Sequence, residues 1–427
     1  MHNPVVKKIK NGLKLILVPV EGTETVSLIV NVGAGSRYED ESQIGMTHFL
    51  EHLIFDGTKR RPSSLDIAKE IDAIGADVNA HPTEEYTNYH IKAASEHLDK
   101  VVDIFSDMLT ESLFAESEIE KEKKVVIEEI KMRSDIPSSY IFQVFDQALF
   151  SGTPLARYTG GTVKTILGIK RQDVLDFYNK HYFAENSYIC LAGNFSGRSE
   201  EGLVKLIEDK FTFKNARSSG VEQFKYKPKR LEFFAKDSQQ TNLAVGFLGP
   251  DYSSSDRLAV KLLMVILGGN MSSRMFTEIR EKKGLAYDVR SFQSSGSDSG
   301  SLMTVAGVAD EKAIQALEAI IGEYKRAQID ITEDELEKAK TFLLGQMKLS
   351  FEDSYELGDY YLTRFFYQKK IELISETMEK IAKIKLADVL AVAGKYFDFD
   401  DMSVGVIAKE KMRPGIEKLL NNWSGAR

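Results

Sequence analysis

Cysteine is nearly absent from the sequence. The chain has one, Cys190, so no intrachain disulfide and no thiolate metal cluster can form. That usage fits a reducing compartment, and Cys190 itself, set in an apolar run, reads as an inert core thiol. Long apolar runs are missing too. No stretch approaches the roughly 18 residues of a membrane-spanning helix, so no membrane span is expected. The run 13–20 is short and carries Lys14, which reads as a strand rather than a signal peptide, and a cytoplasmic location is the expectation. Positive charge is also in deficit. A net charge of −8 argues against a nucleic-acid partner, because phosphate recognition needs basic patches. Gly268-Gly269 lacks the Lys-Ser/Thr sequel of a phosphate loop, so no nucleotide site is expected there.

What remains is an ordinary globular composition, 43% apolar and 28% charged over 427 residues. That length suits two domains of about 200 residues better than one core. Apolar, valine-rich runs at 13–20 and 25–32 read as buried strands. Helical patterns follow at 44–55 and 63–74, a hairpin at 77–80 and 86–93, and an amphipathic stretch at 96–111. A charged helix covers 117–132, which Pro137 ends or bends. A strand at 187–192 and a helix at 200–210 complete the first half. Residues 215–230 break the pattern with Asn215, Ser218, Ser219, Gly220 and Pro228, and read as a linker between domains 1–214 and 231–427. The order then recurs: strands at 231–235 and 241–247, helices at 255–267 and 273–282, strands at 286–291 and 301–308, long helices to about 393, and a strand at 402–407. The expectation is an α+β fold of two similar domains, each a mostly antiparallel sheet covered by helices.

The chemistry concentrates at His48-Phe49-Leu50-Glu51-His52. Two histidines four apart lie one turn apart on one helical face, the geometry that grips a metal ion. Glu51 reaches the same face, and a carboxylate beside a metal can take a proton from water. A surface turn with two unrelated histidines is the plain alternative. It fits poorly, because Ile44, Met46, Phe49, Leu50, Leu53, Ile54 and Phe55 mark a largely buried helix, where such side chains need partners. A third ligand should come from another element. In the glutamate-rich helix 117–132, Glu122 and Glu129 are seven apart and share a face, with Val125 and Val126 between them expected to point toward the core. One acid could ligate and another orient a ligand histidine, but spacing alone does not choose between Glu128 and Glu129. His81 and His90 lie near the 77–93 hairpin, and His81 reads as half-exposed beside an edge strand.

The string from His48 to Thr58 resembles the zinc motif of the pitrilysin-type peptidases, the inverzincins, and most resembles their two-domain, processing-peptidase-like members. The resemblance covers essentially the whole chain and implies a mitochondrial processing peptidase-like fold. It also implies Zn²⁺ held by His48, His52 and Glu129, the last after 76 intervening residues, with Glu122 behind them and Glu51 as the base. Asn79 and Ala80 correspond to the family's substrate-binding edge strand, and 86–89 to its neighbour. Arg280 and Tyr287 have the spacing of the family's catalytic pair, which hydrogen-bonds the substrate carbonyl oxygen. The function implied is a zinc endopeptidase acting on extended peptides in a closed dimeric chamber. The chain carries both the zinc half and the Arg–Tyr half, so a homodimer is expected, with Arg280 and Tyr287 acting in trans. The alternatives are the zinc subunit of a heterodimer and a non-catalytic assembly subunit of the same fold. The sequence departs from the family pattern at Asp56, where lysine is common, and at Pro82, where a small hydroxyl residue is common.

Overall fold

A computed structural model of the chain describes residues 3–214 and 222–423. Part of the expected linker, 215–221, lies outside the described residues. The first half runs β1 (Val5–Lys8), β2 (Lys14–Pro19), β3 (Thr25–Val32), α1 (Met46–Ile54), α2 (Ser64–Asp72), β4 (Asp77–Pro82), β5 (Thr87–Ala94), α3 (Leu98–Glu111), α4 (Glu116–Asp135), α5 (Pro137–Leu149), α6 (Val163–Gly168), α7 (Arg171–His181), β6 (Ser187–Gly193) and α8 (Glu200–Lys210). The second runs β7 (Leu231–Ala235), β8 (Thr241–Gly249), α9 (Arg257–Gly268), β9 (Ala286–Ser295), β10 (Gly300–Val308), α10 (Ala313–Ala327), α11 (Glu333–Ser350), α12 (Ser354–Gln368), α13 (Ile374–Lys383), α14 (Leu386–Tyr396), β11 (Ser403–Ala408) and α15 (Arg413–Trp423).

Local chemistry accounts for several boundaries. Ser63 caps α2 by accepting a hydrogen bond from the Asp66 amide. Pro137 takes the first turn of α5, where its missing N–H costs nothing, so α4 ends just before it. The expected α+β class holds. Patterning does not anticipate β1 or α15. The helix expected over 273–282 instead carries a π-helical stretch, Phe276–Lys282, a rare form that clusters at functional sites.

The chain divides into two compact units. Among the described residues one takes 3–130, 158–214 and 348–373, and the other 131–157, 222–347 and 374–423. The first unit holds a six-stranded sheet of order β1-β2-β6-β3-β5-β4, the second a five-stranded sheet of order β7-β11-β8-β10-β9. β2 with β6, and β7 with β11, are parallel pairs, while the other pairs are antiparallel. Matching β2, β3, β4, β5 and β6 to β7, β8, β9, β10 and β11 makes the two orders identical apart from the extra β1. The repeat read from pattern is thus a repeat of topology.

Each sheet is covered on both faces. β3 is buried from Val26 through Val32, which is why it reads as a continuous apolar run. Leu28, Val30, Tyr89, Ile91 and Leu191 face Phe49, Leu53, Phe105 and Phe177 of the helical layer. α12 covers the opposite face, and there its backbone lies close against side chains of the sheet: a Cβ on Gly358 would lie 2.7 Å from Ile29 Cδ1 and 2.9 Å from Ala192 Cβ. In the second unit Leu243, Val245, Phe247 and Val404 pack beneath α9, α10 and α14. Ala244, Met303 and Ile407 on the other face pack against Ile141, Val144 and Phe145 of α5. The cover of each second face therefore comes from the opposite half of the sequence. Residues 222–230 of the expected linker pack within the second unit, where the Lys229 amide donates to the Ala148 carbonyl at 2.8 Å.

Candidate metal centre

α1 is held at both ends. At its start the buried Glu39 carboxylate accepts from the amides of Gly45 at 2.9 Å and Thr47 at 2.7 Å, using donors that a helix N-terminus leaves free and complementing its dipole. Beyond its end, Thr58 Oγ1 and Arg61 Nη1 each donate to Asp107 Oδ2 of α3 at 2.6 Å, and Arg61 also reaches Glu70 and Asp103. Glu39 escapes sequence reasoning. The available signal is an acidic residue a few positions before a helix start, but here a glycine turn separates the two.

Between these clamps, three side chains converge. His48 Nε2 and His52 Nε2 lie 3.3 Å apart, and Glu129 Oε2 is 3.5 Å from the first and 3.4 Å from the second. Ligands of a tetrahedral zinc ion, with bonds of about 2.0–2.1 Å, stand about 3.3–3.4 Å from one another. The triangle therefore fits such an ion with no rearrangement, and among the described residues no other trio of potential ligands is as closely grouped. Glu122 Oε2 lies 3.2 Å from His52 Nδ1. With Nδ1–H donating to that carboxylate, the lone pair on Nε2 faces the centre, the arrangement that orients metal-bound histidines. Glu128, which spacing left as an alternative, lies on the exposed side of α4.

One expectation about α4 is corrected. Val126 is buried, but Val125 is 41% exposed. The core-facing stripe runs Ile119, Lys123, Val126, and the two acids lie on its edge. Val125 falls beyond them on the open side.

Burial pushes the Glu51 carboxyl up to about 7. Glu129 adds to the effect and His52 opposes it. For His52, burial disfavours charge, but the hydrogen bond to Glu122 and the Glu51 and Glu129 carboxylates outweigh it and raise its pKa. Glu51 Oε2 stands 3.9 Å from His52 Nε2. Asp56 is likewise pushed up to about 7, by burial and then by Glu122. The site is crowded with carboxylates and would gain from a cation.

β4 packs beside α1 and forms the edge of its sheet. Its register settles which backbone groups face outward. The Thr83 amide donates to the Tyr86 carbonyl, so Asp77, Asn79 and His81 take the positions bonded to β5. Val78, Ala80 and Pro82 present their backbone to the open edge. Ala80 N–H is engaged there by Asn79 Oδ1 at 2.8 Å. Pro82 is the last residue of the strand and offers only a carbonyl. His81 is exposed on this strand, its ring 6.5 Å from that of His90.

Arg280 and Tyr287 belong to the second unit. Arg280 lies in the π-helical stretch, and Tyr287 on β9, the edge strand that matches β4. The guanidinium sits 5.1 Å from the centre of the Tyr287 ring and 4.6 Å from that of Phe276. Tyr287 is 78% exposed.

Comparison with known proteins bears on this arrangement. Residues 15–163 match the family described as insulinase (peptidase family M16), and residues 168–343 match the peptidase M16 inactive domain. An uncharacterized zinc protease of Rickettsia bellii is 36% identical over 398 residues, covering 92% of this chain and 94% of the relative. One from Bacillus subtilis is 34% identical over 348 residues, covering 81% and 84%. Among solved structures, a protease from Helicobacter pylori superposes with a TM-score of 0.87 at 23% identity, covering 95% of this chain and 100% of the other. A peptidase M16 inactive domain from Pseudomonas fluorescens gives 0.89 at 20% identity, covering 95% and 98%. These two share the fold. The sequence matches across both halves, together with full-length relatives above 30% identity, show that the chain belongs to the insulinase-type peptidase family M16.

Proposed function

We propose that the chain is a zinc endopeptidase that cleaves extended peptide segments, with its site on α1 and α4. The observation that carries this reading is the His48–His52–Glu129 triangle, whose edges match those of a tetrahedral zinc site. His48 and His52 would hold the ion through Nε2, and Glu129 through a carboxylate oxygen. Bound there, zinc supplies Lewis acidity toward a carbonyl oxygen and makes water easier to deprotonate at neutral pH.

The remaining work falls to protein groups. Glu51 accepts the proton of the attacking water and delivers it to the leaving amine. Burial raises its carboxyl above the ordinary carboxylate range and so strengthens it as a base, while a cation bound beside it would act against that rise. Glu122 keeps His52 turned with Nε2 toward the centre. The substrate strand adds to the open edge of β4, pairing with the outward groups of Val78 and Ala80, and Asn79 leaves Ala80 N–H to make room. Arg280 and Tyr287 donate hydrogen bonds to the substrate carbonyl oxygen as negative charge grows on it, and in a homodimer they do so from the partner subunit.

The test is Glu51→Gln. Zinc content should be unchanged, while cleavage of an unstructured peptide falls by about 10²–10⁴-fold, the usual contribution of a positioned acid–base group. A variant that binds zinc and cleaves at the original rate removes Glu51 from the mechanism.

A further inference from the structure

Away from α1, the first unit contains a cavity of about 300 Å³ that the peptidase reading does not use. It lies between the end of α3, Phe114, α7 and the segment 212–214. The size matches the lower end of pockets that take small organic ligands, about 300 Å³ and above. One aromatic side chain with its attached carboxyl group is within that size.

The walls mix polar groups with aromatic rings. Phe114, Tyr178, Tyr182 and Phe213 line the space. Tyr178 stacks on Tyr182 at 5.0 Å and meets the Phe114 ring edge-on at 5.1 Å. Neither tyrosine hydroxyl is left over: Tyr178 donates to the Leu109 carbonyl at 2.7 Å, and Tyr182 shares a hydrogen bond with Tyr89 at 2.7 Å. Tyr182 is almost wholly buried, so of the two it is Tyr178 that offers ring surface to an occupant, and not a hydroxyl.

Phe114 supplies an independent sign. Its φ is +47°, a left-handed conformation that costs a bulky L-residue on the order of 1 kcal/mol and persists only where its surroundings enforce it. Arg171 enforces it, with Nε donating to the Phe114 carbonyl at 2.7 Å and Nη2 to the Leu113 carbonyl at 3.2 Å. Strain of this kind concentrates at ligand sites, and here it fixes an aromatic wall.

Among the described residues, the rim carries one positive charge without a carboxylate partner. Lys59 is paired with Glu111 at 2.6 Å. Lys214 donates to Asn179 Oδ1, a neutral amide, at 2.9 Å, and has no carboxylate partner among the described residues. An ammonium held at the mouth of a partly aromatic cavity by a neutral group is set to receive an anion.

We propose that this cavity is a second binding site, for an aromatic group that carries a carboxylate. That chemistry belongs both to free aromatic acids and to a peptide ending in an aromatic residue. The test uses the full zinc-loaded chain and saturation-transfer NMR, titrating N-acetylphenylalanine, its carboxamide, and 3-phenylpropanoate. The carboxylates should bind, and the carboxamide roughly tenfold more weakly, the effect of losing one charge-assisted hydrogen bond. N-acetylphenylalanine binding more tightly than 3-phenylpropanoate identifies a peptide terminus, and the reverse a free acid. Lys214→Glu should abolish the preference for the acid. Leu175→Trp, which fills the cavity from α7, should abolish binding while circular dichroism stays unchanged. Equal binding of acid and amide, no binding in the millimolar range, or binding that survives both substitutions overturns the proposal. The last outcome would place the carboxylates at the zinc instead.

Discussion

At the residue scale, the zinc triangle depends on a carboxylate that would not touch the ion. Glu122 is only 8% exposed, and its oxygen lies on Nδ1 of His52. Removing it frees the ring to turn and leaves a buried N–H without its acceptor. Glu122→Ala should therefore weaken zinc binding by about 10–100-fold without displacing a ligand. Competition with a chromophoric chelator measures this, and unchanged affinity would reduce Glu122 to a bystander. How far such details can be read from sequence varies with their physical origin. Two histidines and a glutamate on one turn follow from helical spacing. The preference for Glu129 over Glu128 needed the family resemblance, because adjacent residues on a helix differ by a rotation that spacing arguments from a second, unplaced helix cannot fix. Val125 was misread for the same reason: a face can be listed before it is known which edge of it the core lies on. Glu39 was invisible because its partners are backbone amides.

At the scale of elements, two devices position the site. The first ties the segment after α1 to α3. The Asp107 side chain is fully buried and bonded to Thr58, Arg60 and Arg61. Arg61→Met leaves that charge without its best partner and should cost about 3 kcal/mol of stability at neutral pH, as measured by urea unfolding. Neighbouring Asp103 gives the loss a pH signature. Burial opposes its ionisation, but hydrogen bonds from Lys210, Arg61 and Arg60 outweigh it and hold its carboxyl well below the usual range. A depressed carboxyl stabilises the fold above its unfolded value of about 3.9 and loses that contribution as pH falls through its folded value. The gap between wild type and variant should therefore narrow in acid, and a gap that stays constant with pH would exclude this origin. The second device is the edge of β4. Pro82 has no N–H to offer outward, so pairing on that side ends with the donors of Val78 and Ala80. Pro82→Ala restores one donor. Worth about 0.5–1.5 kcal/mol, it should lower KM two- to tenfold for peptides long enough to reach it, leaving shorter ones unchanged. Equal effects on both lengths would argue against strand addition.

At the scale of the molecule, the assembly proposal has a genetic form. If Arg280 and Tyr287 complete a partner's site, mixing Glu51→Gln chains with Tyr287→Phe chains should restore activity in the mixed dimers, because one of their two sites is intact. Verified mixed dimers that stay inactive would exclude action in trans. The two-unit α+β plan was legible in the recurrence of elements, yet the ownership of α5 and α12 was not. An amphipathic pattern reports that a helix covers something apolar, but not which sheet it covers. That ownership has a consequence for how the protein can be divided. A cut within 215–230 looks like a clean separation of two domains, but it would yield two fragments that each lack a part the other carries. The first would keep a sheet with Ile29 and Ala192 laid bare and a helix, α5, with nowhere to dock, and the second would carry the reciprocal defect. Such pieces are not independent modules. They are complementary halves, each holding the missing cover of the other, and supplied together they have a built-in reason to recombine.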